Sequence, residues 1–225
     1  MSIFLRIGCL VVGYLFGLIE TGIIYSKLVG IDIREHGSGN SGTTNALRVL
    51  GFKAGLITFI GDFCKSFVPC MVTRFIFRDT YPDSYYLLMA YVGFGAVLGH
   101  IFPVYLKFKG GKGIATIGGF AASLLHPIFI VILLVVFVGT IFVSKYMSVG
   151  SIVLMIGIAV CYIIQTFMGY TCFNLDVPSS KNAFIESSVI VCLLAILAIF
   201  KHKQNIIRLL NHTENKFHMK KQEGV

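Results

Sequence analysis

Charged residues are scarce in this chain. Asp, Glu, Lys and Arg make up 13% of its 225 residues, against about 25% in a soluble domain. Apolar residues reach 56% and mean hydropathy is +0.84, so too little polar surface remains to coat a globule. This excludes a disordered chain and argues against an ordinary soluble enzyme. Acidic residues are the scarcest, 10 against 19 Lys+Arg, for a net charge of +9. None clusters with histidine, so no metal site and no cofactor is expected. The six cysteines (Cys9, Cys64, Cys70, Cys161, Cys172 and Cys192) form no C-x-x-C pair and no zinc-like Cys/His group. They read as small core residues. No cleavable signal peptide is evident, because the first apolar run continues too far without a small-residue cleavage site. No internal repeat or domain boundary stands out, so 1–225 is read as one domain.

What is abundant is long apolar sequence. The runs are approximately 3–25, 54–77, 85–106, 114–143, 149–170 and 184–200. A crossing needs about 20 residues, and five runs fit one crossing each. The fourth has 30 residues, which as one helix would be about 45 Å long against a hydrocarbon core of about 30 Å. It contains His126-Pro127, and proline disfavours helix at the residue before it. The run is therefore one long tilted helix or a short hairpin bent near 123–127. Segments 26–53, 107–113, 144–148 and 201–225 hold 4, 3, 1 and 6 Lys/Arg. Only if the fourth run doubles back do all four share a face. The positive-inside rule then gives seven crossings, an outer N-terminus and a cytoplasmic C-terminus. The fold class expected is all-α, a polytopic integral membrane protein.

Polar residues gather on that face. Segment 34–48 concentrates Ser38, Asn40, Thr44, Asn45 and Arg48 among Gly37, Gly39 and Gly42. Glycines let the backbone turn and present N–H groups to an oxyanion, and Arg48 offers a fork that fits phosphate. The G-x-G-x-x-G spelling of 37–42 follows a membrane helix rather than a strand, so it is no dinucleotide site. Gly110-Gly111-Lys112-Gly113 sits just before an apolar helical run, and a helix N-terminus suits phosphate. It is no Walker loop, since Gly113 stands where a hydroxyl residue is required. Lys107 and Lys109 read as orientation charges. His100 is as readily a structural histidine as a ligand-binding one. Ser148 and Ser151 lie at another helix entrance and are candidate contacts or N-caps. His202, Asn205 and Arg208, spaced three apart, fall along one side of a helix. Asp62 and Lys65 lie inside an apolar run at ion-pair spacing; a structural pair and a ligand role stay open. Glu20 and Glu186 receive no role.

These segments resemble, in order and along nearly the whole chain, the acyl-phosphate-dependent glycerol-3-phosphate acyltransferases of bacteria, the PlsY family. Gly37-Ser-Gly-Asn-Ser-Gly-Thr-Thr-Asn-Ala-Leu-Arg48 is similar to the first family motif. Gly99-His-Ile-Phe-Pro with Lys109-Gly-Gly-Lys-Gly-Ile-Ala-Thr116 is similar to the second, and Lys145-Tyr-Met-Ser-Val-Gly-Ser-Ile152 to the third. His202-Lys-Gln-Asn-Ile-Ile-Arg208 with Thr213-Glu214 resembles the C-terminal signature. By position, the resemblance makes Ser38, Arg48, Lys112, Ser151, His202 and Asn205 site residues. Departures are Thr43 for a usual alanine, Lys145 for arginine, His212 for glycine, and Gly17-Leu-Ile-Glu20 for a common Gly-Ser-Ile-Pro.

The resemblance implies a seven-helix enzyme of the bacterial cytoplasmic (inner) membrane. It implies transfer of an acyl chain from acyl phosphate to the 1-hydroxyl of glycerol 3-phosphate, releasing lysophosphatidate and phosphate, the first acylation of phospholipid synthesis. Ser38, Lys112 and His202 are then the catalytic residues. Asn40, Asn45, Arg48, His100, Gly110, Gly111, Gly113, Ser148, Ser151, Asn205 and Arg208 are the substrate contacts. The base is His202 or the substrate's own phosphate. Expected partners are the two substrates and membrane lipid, not nucleic acid; contact with other lipid-synthesis enzymes stays open. The H-x-x-x-x-D mark of thioester-using acyltransferases is missing, Tyr105 standing five positions after His100. The rival reading is a transporter of an organophosphate or other anion, which predicts polar residues at the midplane of paired broken helices.

Overall fold

The computed structural model describes residues 1–168 and 180–216. Cys172 lies outside them; the other five cysteines are free, with Cys9 and Cys70 buried. All regular structure among the described residues is helical: α1 (Ile3–Gly17), α2 (Thr21–Leu28), α3 (Thr43–Leu50), α4 (Phe52–Phe77), α5 (Tyr85–Ile101), α6 (Ile114–Leu124), α7 (Pro127–Ser144), α8 (Met147–Phe167), α9 (Lys181–Lys201) and α10 (Lys203–Leu210), with short 3₁₀ turns at Ile33–Glu35 and Val104–Leu106. Among the described residues six stretches are long and apolar enough to cross a membrane, and Ile114–Leu124 is a shorter apolar helix.

α5 is the mast around which the others stand. Most of its apolar window is buried (72%), against 6% for α7, so α7 presents its side chains to lipid. α1 lies closely against α5. Gly13 and Gly17 press on the Val92 and Ala96 carbonyls, while Gly95 and Gly99 press on those of Leu10 and Tyr14. Water drives no association between apolar helices inside a bilayer, so close backbone approach at small residues supplies the contact. A Cβ at any of the four would overlap backbone.

The first apolar run is not one continuous helix. It breaks at Leu18–Glu20, between α1 and α2. A break in hydrocarbon frees carbonyls that neighbours must satisfy. Tyr105 donates its hydroxyl proton to the Leu18 carbonyl at 2.8 Å, and the Lys65 ammonium donates to that of Ile19 at 2.8 Å. The 114–143 run breaks as well, which decides between the two readings left open. α6 ends at Leu124, and His126, extended before Pro127, caps α7. Gln165 of α8, almost fully buried, accepts from the His126 N–H at 2.6 Å and donates to the Leu124 carbonyl at 2.9 Å. α6 then packs on α4 and α5, and α7 on α8.

Candidate active site

The loop before α3 is shaped by two asparagines. Gly37 and Gly39 adopt positive φ, where a Cβ is strained. Asn45 accepts the Ser38 N–H at 2.9 Å and donates to the Ile33 and His36 carbonyls at 3.2 and 3.0 Å. Asn40 accepts the Gly42 N–H at 2.9 Å, a local turn that sets the entry to α3. These bonds set the path of the loop that carries Ser38 into α3, and the Asn45 amide is engaged at both ends in making them, while Asn40 uses its oxygen.

The second glycine loop folds back on the end of α5. The N–H groups of Gly110 and Gly111 donate to the carbonyls of Ile101 and His100, both at 3.2 Å. A Cβ at Gly111 would overlap His100 Nε2, so the loop lies directly on that ring. Gly113, at φ 81°, caps α6 with no side chain in the way. The free N–H groups of the first α6 turn therefore open onto the loop.

Lys112 points from this loop to the C-terminal segment and donates to Asn205 Oδ1 at 2.5 Å. Glu214 completes a ring. Its carboxylate accepts from Asn205 Nδ2 at 2.7 Å, Ser148 Oγ at 3.0 Å and Arg208 Nε at 2.6 Å. Burial pushes the Glu214 carboxyl up, but the hydrogen bonds from Asn205, Arg208 and Ser148 outweigh it and hold it below the ordinary value. Burial drives the Lys112 ammonium down to about 8, against the pull of Glu214 and with Arg208 and Arg48 adding repulsion. His202, at the junction of α9 and α10, is 2% exposed. Burial lowers its pKa too. Its Nδ1 lies 2.8 Å from the Ala198 carbonyl, which only accepts. The proton is thereby assigned to Nδ1, and Nε2 keeps its lone pair.

One cavity of about 540 Å³ collects these groups. Ser38, Asn40, Asn45, Arg48, His100, Lys112, Gly113, Ser148, Ser151, His202, Asn205 and Arg208 all line it. Of the expected site residues only Gly110 and Gly111 do not, and they carry the loop from behind. Beyond the polar end the lining turns apolar, with Leu133, Leu134, Phe137, Leu154 and Ile158 from α7 and α8. Neither Ser148 nor Ser151 caps α8. Tyr146 holds the cap position, Ser148 is bound to Glu214, and Ser151 donates to the Met147 carbonyl at 2.9 Å.

Two residues given no site role from sequence matter here. Glu214 ties Ser148 of the third motif to Asn205 and Arg208 of the C-terminal one, and its signal was its place in the C-terminal signature. Glu20 is 1% exposed; it accepts from Ser41 Oγ at 3.0 Å and lies 3.2 Å from His100 Nδ1. Nothing local in the sequence marks that pairing. Glu186 likewise has partners, Arg6 at 3.0 Å and the Tyr91 hydroxyl at 2.5 Å, away from the cavity. Asp62 and Lys65 pair at 3.0 Å, with His100 as a third member.

Comparison with known proteins agrees with this arrangement. Residues 7–212 match the family model described as glycerol-3-phosphate acyltransferase. A glycerol-3-phosphate acyltransferase of Geotalea daltonii is 38% identical over 92% of this chain and 96% of its own length. One from Bacillus subtilis is 38% identical over 92% and 95%. Among solved structures, crystal forms of PlsY, an integral membrane glycerol 3-phosphate acyltransferase, superpose well. Its glycerol 3-phosphate form gives a TM-score of 0.77 at 31% identity, covering 95% of this chain and 96% of that one. Its lysophosphatidic acid form gives 0.76.

Proposed function

The chain belongs to the glycerol-3-phosphate acyltransferase family, and from that premise we propose how it works. A fatty acyl chain passes from acyl phosphate to the 1-hydroxyl of sn-glycerol 3-phosphate, giving lysophosphatidate and inorganic phosphate. This is the first acylation of phospholipid synthesis. The observation that carries the reading is a single cavity with two unlike ends. One end brings together Lys112, Arg48 and Arg208 with the carboxylates of Glu214 and Asp62; the other is lined by α7 and α8 side chains. A phosphorylated headgroup fits the first and a greasy tail the second.

Lys112 and the N–H groups opening α6 hold the acyl-phosphate headgroup and take up charge developing on the carbonyl oxygen and leaving phosphate. Arg48, Ser38, Ser151, Asn205 and Arg208 place glycerol 3-phosphate. Asn40, Asn45, Gly110, Gly111 and Gly113 contribute through the loops they shape, Ser148 through Glu214, and His100 from beneath the second loop. The substrate hydroxyl attacks the acyl carbon, its proton passes to His202 Nε2, and the carbon–oxygen bond to phosphate breaks. Acyl phosphate is already activated, so no covalent enzyme intermediate is needed. Most of the acceleration comes from positioning.

The whole chain acts as one domain of the bacterial inner membrane. α6 serves as the seventh crossing, with the N-terminus outside and the C-terminus cytoplasmic, in keeping with the Lys/Arg-rich segments. Phosphate release from purified protein should require acyl phosphate and glycerol 3-phosphate together; release with either alone would refute the transfer. Protease added to sealed inside-out vesicles should trim the tail after 210; trimming only in right-side-out vesicles would refute the orientation.

A further inference from the structure

Beneath the two phosphate-facing loops lies a group of buried ionisable side chains, of which Asp62 and His100 also reach the cavity lining. Glu20, Asp62, Lys65 and His100 are each at most 4% exposed. Lys65 is the hub. Its ammonium has three protons, and three acceptors surround it: the Ile19 carbonyl at 2.8 Å, His100 Nδ1 at 2.6 Å and Asp62 Oδ1 at 3.0 Å. An ammonium only donates, so Nδ1 accepts, and the ring's proton sits on Nε2. That nitrogen is the one Gly111 rests against. Glu20 reaches the other way. Oε2 accepts from Ser41 Oγ at 3.0 Å, in the loop before α3, while Oε1 lies 3.2 Å from His100 Nδ1 without a hydrogen bond and is held to the hub by its attraction to the Lys65 ammonium. Ser41 is buried, and its carbonyl is packed against Gly22 of α2. Buried charges persist where they are paired and hydrogen-bonded. Here the contacts run from one loop to the other, hydrogen-bonded from Ser41 to Glu20 and from Lys65 to His100, and electrostatic between Glu20 and Lys65.

We propose that Glu20, Lys65 and His100 are positioning residues, a buried strut between the 37–45 loop and the 110–113 loop that fixes the spacing of the two phosphate grips. Ser41 is the strut's foot on the first loop, and the His100 ring is its foot under the second. The proposal rests on the two-phosphate reading of the cavity. Loop spacing decides whether two bound phosphates sit within attack distance, and small misplacements are costly.

The test uses full-length protein in detergent or lipid mesophase, with KM for both substrates, kcat and Tm measured for each variant. Glu20→Gln and Ser41→Ala lie outside the cavity lining, so neither removes a substrate contact. Each should raise both KM values about fivefold, the scale of one lost hydrogen bond. The double variant should be no worse than Glu20→Gln alone, because both cut one strut, and Glu20→Asp should recover part of the loss. Glu186→Gln is the control: it removes a carboxylate paired with Arg6 and Tyr91 elsewhere, and should lower Tm with KM unchanged. If Glu20→Gln behaves like that control, the strut is overturned. If Glu20→Gln does not insert, Ser41→Ala decides by the same criterion. No phosphate release from the unaltered protein would fail the reaction itself and the strut with it; release with unmoved KM values fails the strut alone.

Discussion

Two charged networks meet at the same cavity, and they differ in the sign of their net charge. The ring of Lys112, Arg208, Asn205, Ser148 and Glu214 has two cations to one carboxylate, and Arg48 adds a third cation from α3. The Glu20–Asp62–Lys65–His100 group sets two carboxylates against one ammonium, which pairs with Asp62 and donates to the Ile19 carbonyl and His100 Nδ1. An unbalanced ring with donors to spare is a binding surface for anions. A buried group with carboxylate in excess repels phosphate and is suited to holding shape. The largest expected effects therefore lie in the ring. Lys112→Ala should lower kcat/KM for phosphate release roughly 10²–10³-fold while the protein still inserts. Full activity would show that the excess positive charge at this end is not what grips the headgroup.

His202 belongs to neither network, which makes it the sharpest test of chemistry as opposed to binding. Its Nδ1 is committed to Ala198, leaving Nε2 as the base. His202→Gln should lower kcat about 10²-fold with little change in KM. A near-normal kcat at saturating substrate would pass the proton to the substrate's own phosphate. Glu214→Gln should act less on rate and more on the ring's integrity, since it weakens the acceptor for Asn205, Arg208 and Ser148 together. A loss of about tenfold in kcat/KM, with a lower Tm, is expected. The pH dependence follows in sign. Glu214 is held below its ordinary value of 4.5 when folded, so its stabilisation is present above 4.5 and is lost as pH falls through the lower folded value. The Glu214→Gln protein should lack that acid-side loss in Tm.

The same contrast explains what the sequence made legible. The ring's members sit in glycine-rich or basic stretches at helix ends, where polar residues stand out against apolar runs, and Ser38, Arg48, Lys112, Ser151, His202 and Asn205 do converge. The buried group was only half visible. Asp62 and Lys65 announce a pair by their spacing, but Glu20 finds its partners 21 and 80 residues away, in Ser41 and His100, and no local pattern encodes that. The break in run 114–143 was readable from His126-Pro127. The choice between a tilted helix and a broken one depended on Gln165, a single polar side chain in a later helix that satisfies both ends of the break. The break at 18–20 was missed for a similar reason: its freed carbonyls are satisfied by Lys65 and Tyr105, far along the chain.

The smallest expected effect separates the ring's charge from its shape. Burial brings Lys112 down to about 8, so in the free enzyme the cation that grips phosphate is present below that pH and is lost above it. The profile of kcat/KM, which reports free enzyme, should fall on the alkaline side with an apparent pKa of about 8. Bound phosphate favours the ammonium, so the limb of kcat should lie at higher pH. On the acid side His202, lowered by burial from 6.5, remains an unprotonated base below that value, which extends the plateau downward. Lys112→Arg keeps a positive charge that does not titrate in this range. At pH 7 it should lose no more than about tenfold, because the guanidinium is a poorer fit to a site built for a point charge. Its alkaline limb should disappear. An alkaline limb that survives in Lys112→Arg would mean that some other group titrates there, and that the ring does not owe its anion affinity to a lysine held near its own pKa.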